Sequence, residues 1–171
     1  IGKNFEISRA QAIQAVAART IISPIQNPIL LKPLGHYRSS VFVNGKFFKK
    51  MHAKNYYENF VLKDGLKASI DAFNKLSHSH EIIFLEGAGS PAEINLQKFD
   101  ITNMKIAKKT KSPVLLITDI ERGGAFASII GTMELIEKKY VELVKGFIIN
   151  KFRGDIEILK PGYRKLKQKT G

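Results

Sequence analysis

Three short apolar runs in the sequence each end in a polar side chain with glycine close behind. Ile82-Ile83-Phe84-Leu85 leads into Glu86-Gly87-Ala88-Gly89-Ser90. Val114-Leu115-Leu116-Ile117-Thr118 leads into Asp119 and then Arg122-Gly123-Gly124, and Gly146-Phe147-Ile148-Ile149 leads into Asn150-Lys151-Phe152-Arg153-Gly154-Asp155. If the runs are strands of a doubly wound sheet, their polar ends border the crevice where such sheets bind ligands. A carboxylate in that place, followed by glycines that let a phosphate or another backbone approach, is how nucleotide-hydrolysing domains hold Mg²⁺. Glu86, with Gly87 and Gly89, is the candidate ligand; the plainer reading is a carboxylate capping the next segment. Asp119 could likewise hold metal or cap a helix starting near Gly123. Arg122, Gly123 and Gly124 would gather a guanidinium, backbone N–H groups and a dipole end at a helix entrance, which suits an anion, although a helix cap with a surface Arg would look the same. Asn150 offers the donor and acceptor that reading an adenine edge requires, or is a turn residue.

The elements that must position these groups alternate along the chain. Ala10, Ile13, Ala17 and Ile21 recur at helical spacing, so a helix is expected from Ser8, its N-cap, to about Ile22, with Pro24 as the stop. Ile29-Leu30-Leu31 is a short run bounded by Pro28 and Pro33. Asn44-Gly45 between Val41-Phe42-Val43 and Lys46-Phe47-Phe48 reads as a two-residue hairpin turn. Leu62, Leu66, Ile70, Phe73 and Leu76 form the apolar stripe of a long helix from about Asn55 to Ser77. Further helices are expected at about Ile101 to Thr110 and Gly124 to Glu137, between the three apolar runs. Continuous apolar runs alternating with helices are what a parallel sheet covered on both faces produces. The expected fold is therefore α/β, a mostly parallel sheet flanked by helices, in one domain over 1–171.

Composition narrows the function classes. The chain has 171 residues, 44% apolar and 25% charged, so it should bury a core. Its 28 Lys+Arg against 15 Asp+Glu give a formal charge of +13, a bias toward anionic partners. The lysines are spread along the chain without zinc-finger spacing or an RRM-like aromatic signature, which argues against nucleic acid as that partner. The basic run from Lys160 to Lys169 reads as a solvated helix face. Cysteine is absent, which excludes disulfides and thiolate chemistry within these residues and is compatible with a cytoplasmic setting. No apolar run approaches the roughly 18 residues of a membrane span.

The sequence resembles the cobyric acid synthase family over nearly its whole length. The likeness is carried by Glu86-Gly87-Ala88-Gly89-Ser90-Pro91-Ala92-Glu93-Ile94-Asn95-Leu96. Arg9 to Gln14 (RAQAIQ), Asn27 to Pro33 (NPILLKP), Asp119 to Gly124 (DIERGG) and Gly146 to Asp155 (GFIINKFRGD) agree in order and spacing. Gln26 departs from the family's usual Met and Ser8 from its common Gly. The resemblance implies a P-loop NTPase fold of the dethiobiotin-synthetase type. It also implies ATP- and glutamine-dependent amidation of peripheral carboxylates of cobyrinic acid a,c-diamide through an acyl phosphate. Glu86 then resembles the Mg²⁺ ligand and Asn150 the base contact of ATP, while strand order places Asp119 and Arg122 near the phosphates. Arg9, Gln11, Asn27 and Lys32 lie in segments that resemble the corrinoid side of the cleft. No GxxxxGK[ST] occurs in the chain. The first β-strand, P-loop and first helix are thus expected to precede Ile1, and the glutaminase-like domain supplying ammonia to follow Gly171. On this reading residues 1–171 are part of an ATP-binding synthetase domain, inactive alone. A cobyrinic acid diamide synthase, a cell-wall amidotransferase and a basic nucleic-acid-binding module are the competing readings.

Overall fold

A three-stranded antiparallel sheet and a two-stranded parallel sheet organise the chain in a computed structural model, which describes residues 5–171. The sheets belong to different compact units, residues 1–86 and 87–171.

In the first unit the Ser8 hydroxyl accepts the Gln11 N–H at 3.1 Å and starts α1 (Arg9–Ala17), the N-cap expected from sequence. The helix is shorter than its periodicity suggested. It ends before Arg19, whose φ of 54° is left-handed, and Pro24 opens a 3₁₀ turn (Pro24–Gln26) instead of stopping the helix. Strands β1 (Ile29–Gly35), β2 (Arg38–Val43) and β3 (Lys46–His52) follow in spatial order β1-β2-β3. Pro33 lies inside β1 rather than bounding it, which an edge strand tolerates. Asn44 and Gly45 turn β2 into β3 with φ of 48° and 78°, both positive as a type I′ turn requires. A Cβ on Gly45 would also come within 2.7 Å of Phe5 and Pro24, so the tip is glycine for packing as well as for conformation.

Across β2 and β3, Val41 faces Lys49 and Phe42 faces Phe47, which leaves Phe48 as an extra bulge residue. Bulges re-aim side chains. Here the Phe48 ring meets Phe60 at 5.3 Å. Phe60 lies on the long helix, which runs through α2 (Ala53–Asn55), a π-helical segment (Tyr56–Gly65) and α3 (Leu66–Ser77). The expected stripe holds in α3 but is displaced upstream. The wider π turn brings Phe60 and Val61 inward and leaves Leu62 exposed. Tyr56 packs on Phe60 at 5.5 Å, and burial, aided by neighbouring Tyr57, pushes its hydroxyl up to about 12.

The expected strand Ile82–Leu85 is not one: it has no regular secondary structure and no ladder partner among the described residues, and Phe84 is 93% exposed. An apolar run sets strand propensity, but a strand exists only once another backbone satisfies its N–H and C=O groups.

In the second unit Asp100 accepts the N–H groups of Thr102, Asn103 and Met104 at 3.0, 2.8 and 2.9 Å, so α4 (Met104–Thr110) starts later than the expected Ile101. β4 (Val114–Asp119), α5 (Ala125–Leu135), α6 (Lys138–Val141), β5 (Val144–Asn150) and α7 (Lys160–Thr170) complete it. β4 and β5 are parallel neighbours, so the unit is α/β with a parallel sheet and helices. Met104, Ile136 and Tyr140 form its core, against which Val114, Leu116 and Val144 pack. Leu115 and Ile117, on the other face of β4, are exposed, so the expectation of two covered faces is met on one only. On α7 the lysines are mostly exposed and Leu166 is buried, the solvated face the sequence suggested.

Because Phe60 is 2% exposed and Phe47 is 57% exposed, Phe60→Ala should cost about 3 kcal/mol of stability in chemical denaturation, and Phe47→Ala well under about 1 kcal/mol.

Candidate functional site

The ladder between β4 and β5 sets Thr118 opposite Ile149 and Asp119 opposite Asn150, at the carboxyl ends of two parallel strands. Asp119 uses both carboxylate oxygens within its own unit. Oδ1 accepts the Glu121 N–H at 3.0 Å, which caps the 3₁₀ turn Ile120–Arg122 and not the helix beyond it. Oδ2 accepts from Lys151 Nζ at 2.7 Å and lies 3.8 Å from Arg122 Nε. Lys151 can reach back because its backbone is left-handed, with φ of 61°. The Asn150 side-chain oxygen accepts the Lys151 N–H at 3.0 Å, the geometry of a turn residue, and leaves its amide group available as a donor. Glu121 extends the network to Lys151 at 3.7 Å and to Arg153 at 3.1 Å.

The Lys151 hydrogen bond is the main reason the Asp119 carboxyl sits below its usual range, with the Glu121 N–H and the charges of Lys151 and Arg122 adding to it. Lys151, Glu121 and Arg153 were not among the sequence candidates. Their signal was a Lys directly after the strand-end Asn and a Glu two residues after the strand-end Asp, each weak until the ladder joins them.

Gly123 and Gly124 follow with φ of 75° and 66°, and Gly124 is the N-cap of α5, where no side chain caps the helix. Open space surrounds the Cβ positions of Gly89, Gly123 and Gly124, so another group could approach their backbones closely. Gly87 differs: a Cβ there would lie 2.0 Å from Asn103 Oδ1 and 2.6 Å from the Thr102 carbonyl oxygen, so its missing side chain serves packing.

In the first unit Glu86 follows the unpaired run Ile82–Leu85, and its Oε2 accepts from the Gln14 side-chain amide on α1. Four further candidates gather around the start of that helix. The Asn27 side chain accepts the Ser8 N–H at 3.0 Å and donates to the Ile29 carbonyl at 3.0 Å, tying the entrance of α1 to β1. Arg9 and Gln11 stand in the first turn of α1. Lys32 on β1 pairs with Glu6 at 2.7 Å and lies 5.1 Å over the Phe42 ring.

As a home for Mg²⁺, the two carboxylates differ. Glu86 has its Oε1 oxygen outside any hydrogen bond or ion pair among the described residues, which suits a hard cation. Asp119 already has an ammonium against one oxygen and an N–H against the other. Among the described residues no three His, Asp or Glu side chains converge as a metal cage would.

Two outcomes follow. The Asp119 carboxyl is held low in the folded chain, so its ion pair adds stability above the ordinary carboxylate range and loses it as pH falls through the depressed value. The stability gap between wild type and Asp119→Asn, open at pH 7, should narrow below about pH 4 when denaturation is followed across pH. Gly87→Ala should lower stability by about 1 to 3 kcal/mol in the same measurement, since backbone and not only a side chain must move.

The family model described as an AAA domain matches residues 37–171. Cobyric acid synthase of Clostridium novyi (strain NT) is 53% identical over 162 residues, which is 94% of this chain and 32% of that protein. A cobyric acid synthase of Dehalococcoides mccartyi (strain CBDB1) is 49% identical over 165 residues, 96% of this chain and 32% of its own length. A probable cobyric acid synthase of Thermococcus kodakarensis is 48% identical over 166 residues, 97% of this chain and 34% of its own length. The chain thus spans about a third of the length of the curated relatives it matches. No solved structure matches it. Among the described residues no helix is long and apolar enough to cross a membrane. By the family model, which covers most of its length, the chain belongs to the AAA-domain family of P-loop NTPase-like domains, and its likeness to cobyric acid synthases runs over nearly its whole length.

Proposed function

We propose that this chain is part of the ATP-dependent synthetase of a cobyric acid synthase. That enzyme would amidate peripheral carboxylates of cobyrinic acid a,c-diamide with ammonia released from glutamine. What carries the reading is the identity of about one half with proteins named cobyric acid synthase across some 95% of the chain. The strand-end pair Asp119 and Asn150, with the glycine turn entering α5, supports it from the geometry. In the reaction a substrate carboxylate oxygen attacks the γ-phosphorus of ATP, the bond to the bridging oxygen of ADP breaks, and the acyl phosphate formed is then attacked by ammonia with loss of phosphate. Catalysis of phosphoryl transfer is chiefly positioning and charge neutralisation.

Each residue then takes a role. Glu86 would hold Mg²⁺ through its uncommitted oxygen, with Gln14 fixing the carboxylate; the ion would offset charge on the phosphate oxygens. Asp119, expected as a second ligand, holds Lys151 in place and orients its ammonium. Arg122 and the N–H groups at Gly123 and Gly124 would meet phosphate oxygens, helped by the dipole of α5. Gly89 would admit phosphate past its backbone, and Gly87 would hold that turn against residues 102–103. The Asn150 amide would contact the adenine. Arg9, Gln11, Asn27 and Lys32 would face the corrinoid acid. Ammonia would come from a glutaminase domain outside these residues, which themselves contain no cysteine nucleophile. The setting would be the cytoplasm, where ATP and glutamine are available.

In the complete synthase carrying this segment, cobyrinic acid a,c-diamide should be converted to its amides only with ATP and an ammonia source, read by mass spectrometry. Glu86→Gln should lower kcat about a hundredfold and leave the glutamine KM unchanged. Amidation of a peptidoglycan precursor in place of the corrinoid would move the assignment to the cell-wall enzymes.

A further inference from the structure

Between Ile29 and His52 the sequence carries Lys32, Arg38, Lys46, Lys49 and Lys50 and no Asp or Glu. The ladder decides which of these cations share a face. Lys32 and Lys50 both pair with Ser40, one from each side, and Gly35 and His52 both pair with Arg38. Opposed residues project to the same side of a sheet, and alternate residues along a strand return to it. Lys32, Arg38, Lys50 and His52 therefore lie on one face, and Lys46 and Lys49 on the other. Phe42 and Phe47 occupy the next row of the first face, their rings edge to face at 5.7 Å. Glu6 meets Lys32, while Arg38 and Lys50 form no ion pair among the described residues.

Beyond the Lys32 contacts with Glu6 and Phe42, folding gains little from such a row, because like charges gathered on one sheet face repel. The adjoining hairpin tip is a second cost. His36 and Tyr37 turn β1 into β2 with φ of 48° and 57°, a region His visits more readily than most residues but one unfavourable for the bulk of Tyr37. Tyr37 is also 83% exposed, so burial does not compensate, and its ring stands 6.2 Å from that of His52.

We propose that this face of the β1–β3 sheet is the docking surface for a compact apolar framework rimmed with carboxylates. Lys32, Arg38 and Lys50 take the acids, and Phe42, Phe47 and Tyr37 take the framework. The inference rests on the corrinoid reading above and assigns that substrate to residues beyond Lys32. Charge complementarity selects the occupant: Arg38 and Lys50, without carboxylate partners among the described residues, pair with acids beside the Lys32–Glu6 pair, and the interleaved rings need apolar surface. Three strands span only about 10 Å, room for one compact ligand and short of a track for successive nucleotides.

The test is calorimetric titration of the whole chain with cobyrinic acid, and with cobinamide, which presents amides on the same macrocycle. Cobyrinic acid should bind, and cobinamide much more weakly. Arg38→Ala with Lys50→Ala should weaken cobyrinic acid about a hundredfold, roughly tenfold for each lost charged hydrogen bond. Lys165→Ala with Lys167→Ala, which removes the same charge from α7, should change nothing. Tyr37→Gly should raise the melting temperature by relieving the turn and yet weaken binding, opposite signs that a purely structural role would not give. Cobyrinic acid binding that is absent, or unchanged in R38A/K50A, overturns the proposal, and the amidation assay judges the functional reading independently. A single-stranded oligonucleotide bound in place of cobyrinic acid and released by R38A/K50A would overturn it in favour of nucleic acid.

Discussion

The parallel ladder between Val114–Asp119 and Val144–Asn150 is the constraint from which the second unit's chemistry follows. Parallel pairing brings two carboxyl strand ends level, so Asp119 and Asn150 become neighbours although 30 residues separate them along the chain. The left-handed turn at Lys151 then swings an ammonium back onto Asp119, and Glu121 and Arg153 close a network of alternating charge around it. Exposed ion pairs of this kind add little to stability singly. Their value lies in orientation, since they hold cations beside the glycine turn into α5, where an anion would profit from both the charges and the helix dipole.

The first unit solves a different problem. Its antiparallel sheet is anchored by Val41, fully buried, and by the bulge that delivers Phe48 to Phe60 on the long helix. That anchoring leaves the Lys32, Arg38 and Lys50 side populated by cations and aromatics. Glu86 sits at the other end of the unit's sequence, braced by Gln14 from α1, so a carboxylate and its orienting amide come from segments far apart in the chain. The charge of +13 is thus not spread evenly in its consequences: on the β1–β3 face it is concentrated and largely unpaired, whereas on α7 it faces solvent.

Local chemistry was legible wherever one residue type dictates one backbone state. Ser8 as an N-cap, Asn44-Gly45 as a type I′ turn, the long helix ending at Ser77, Asp119 and Asn150 at the close of two apolar strands and the solvated face of α7 could all be read from type and spacing, the strands running one residue further than the apolar runs. The family likeness was legible too, because an eleven-residue segment from Glu86 to Leu96 and its companions recur in order. Element class, Ile82–Leu85 excepted, and the polar residues that close β4 and β5 were therefore determined by the sequence by itself. What only the tertiary structure decided is pairing. Ile82–Leu85 has the composition of a strand but no ladder partner among the described residues, the π turn moves the buried stripe from Leu62 to Phe60 and Val61, and the β1–β2 hairpin turns at His36-Tyr37, two side chains that do not themselves favour such a turn. Lys151 reaches Asp119, and Lys50 shares a face with Lys32, only through ladder register. Hydrogen-bond partners across a sheet are chosen by the remainder of the chain, and propensity along a strand carries no information about them.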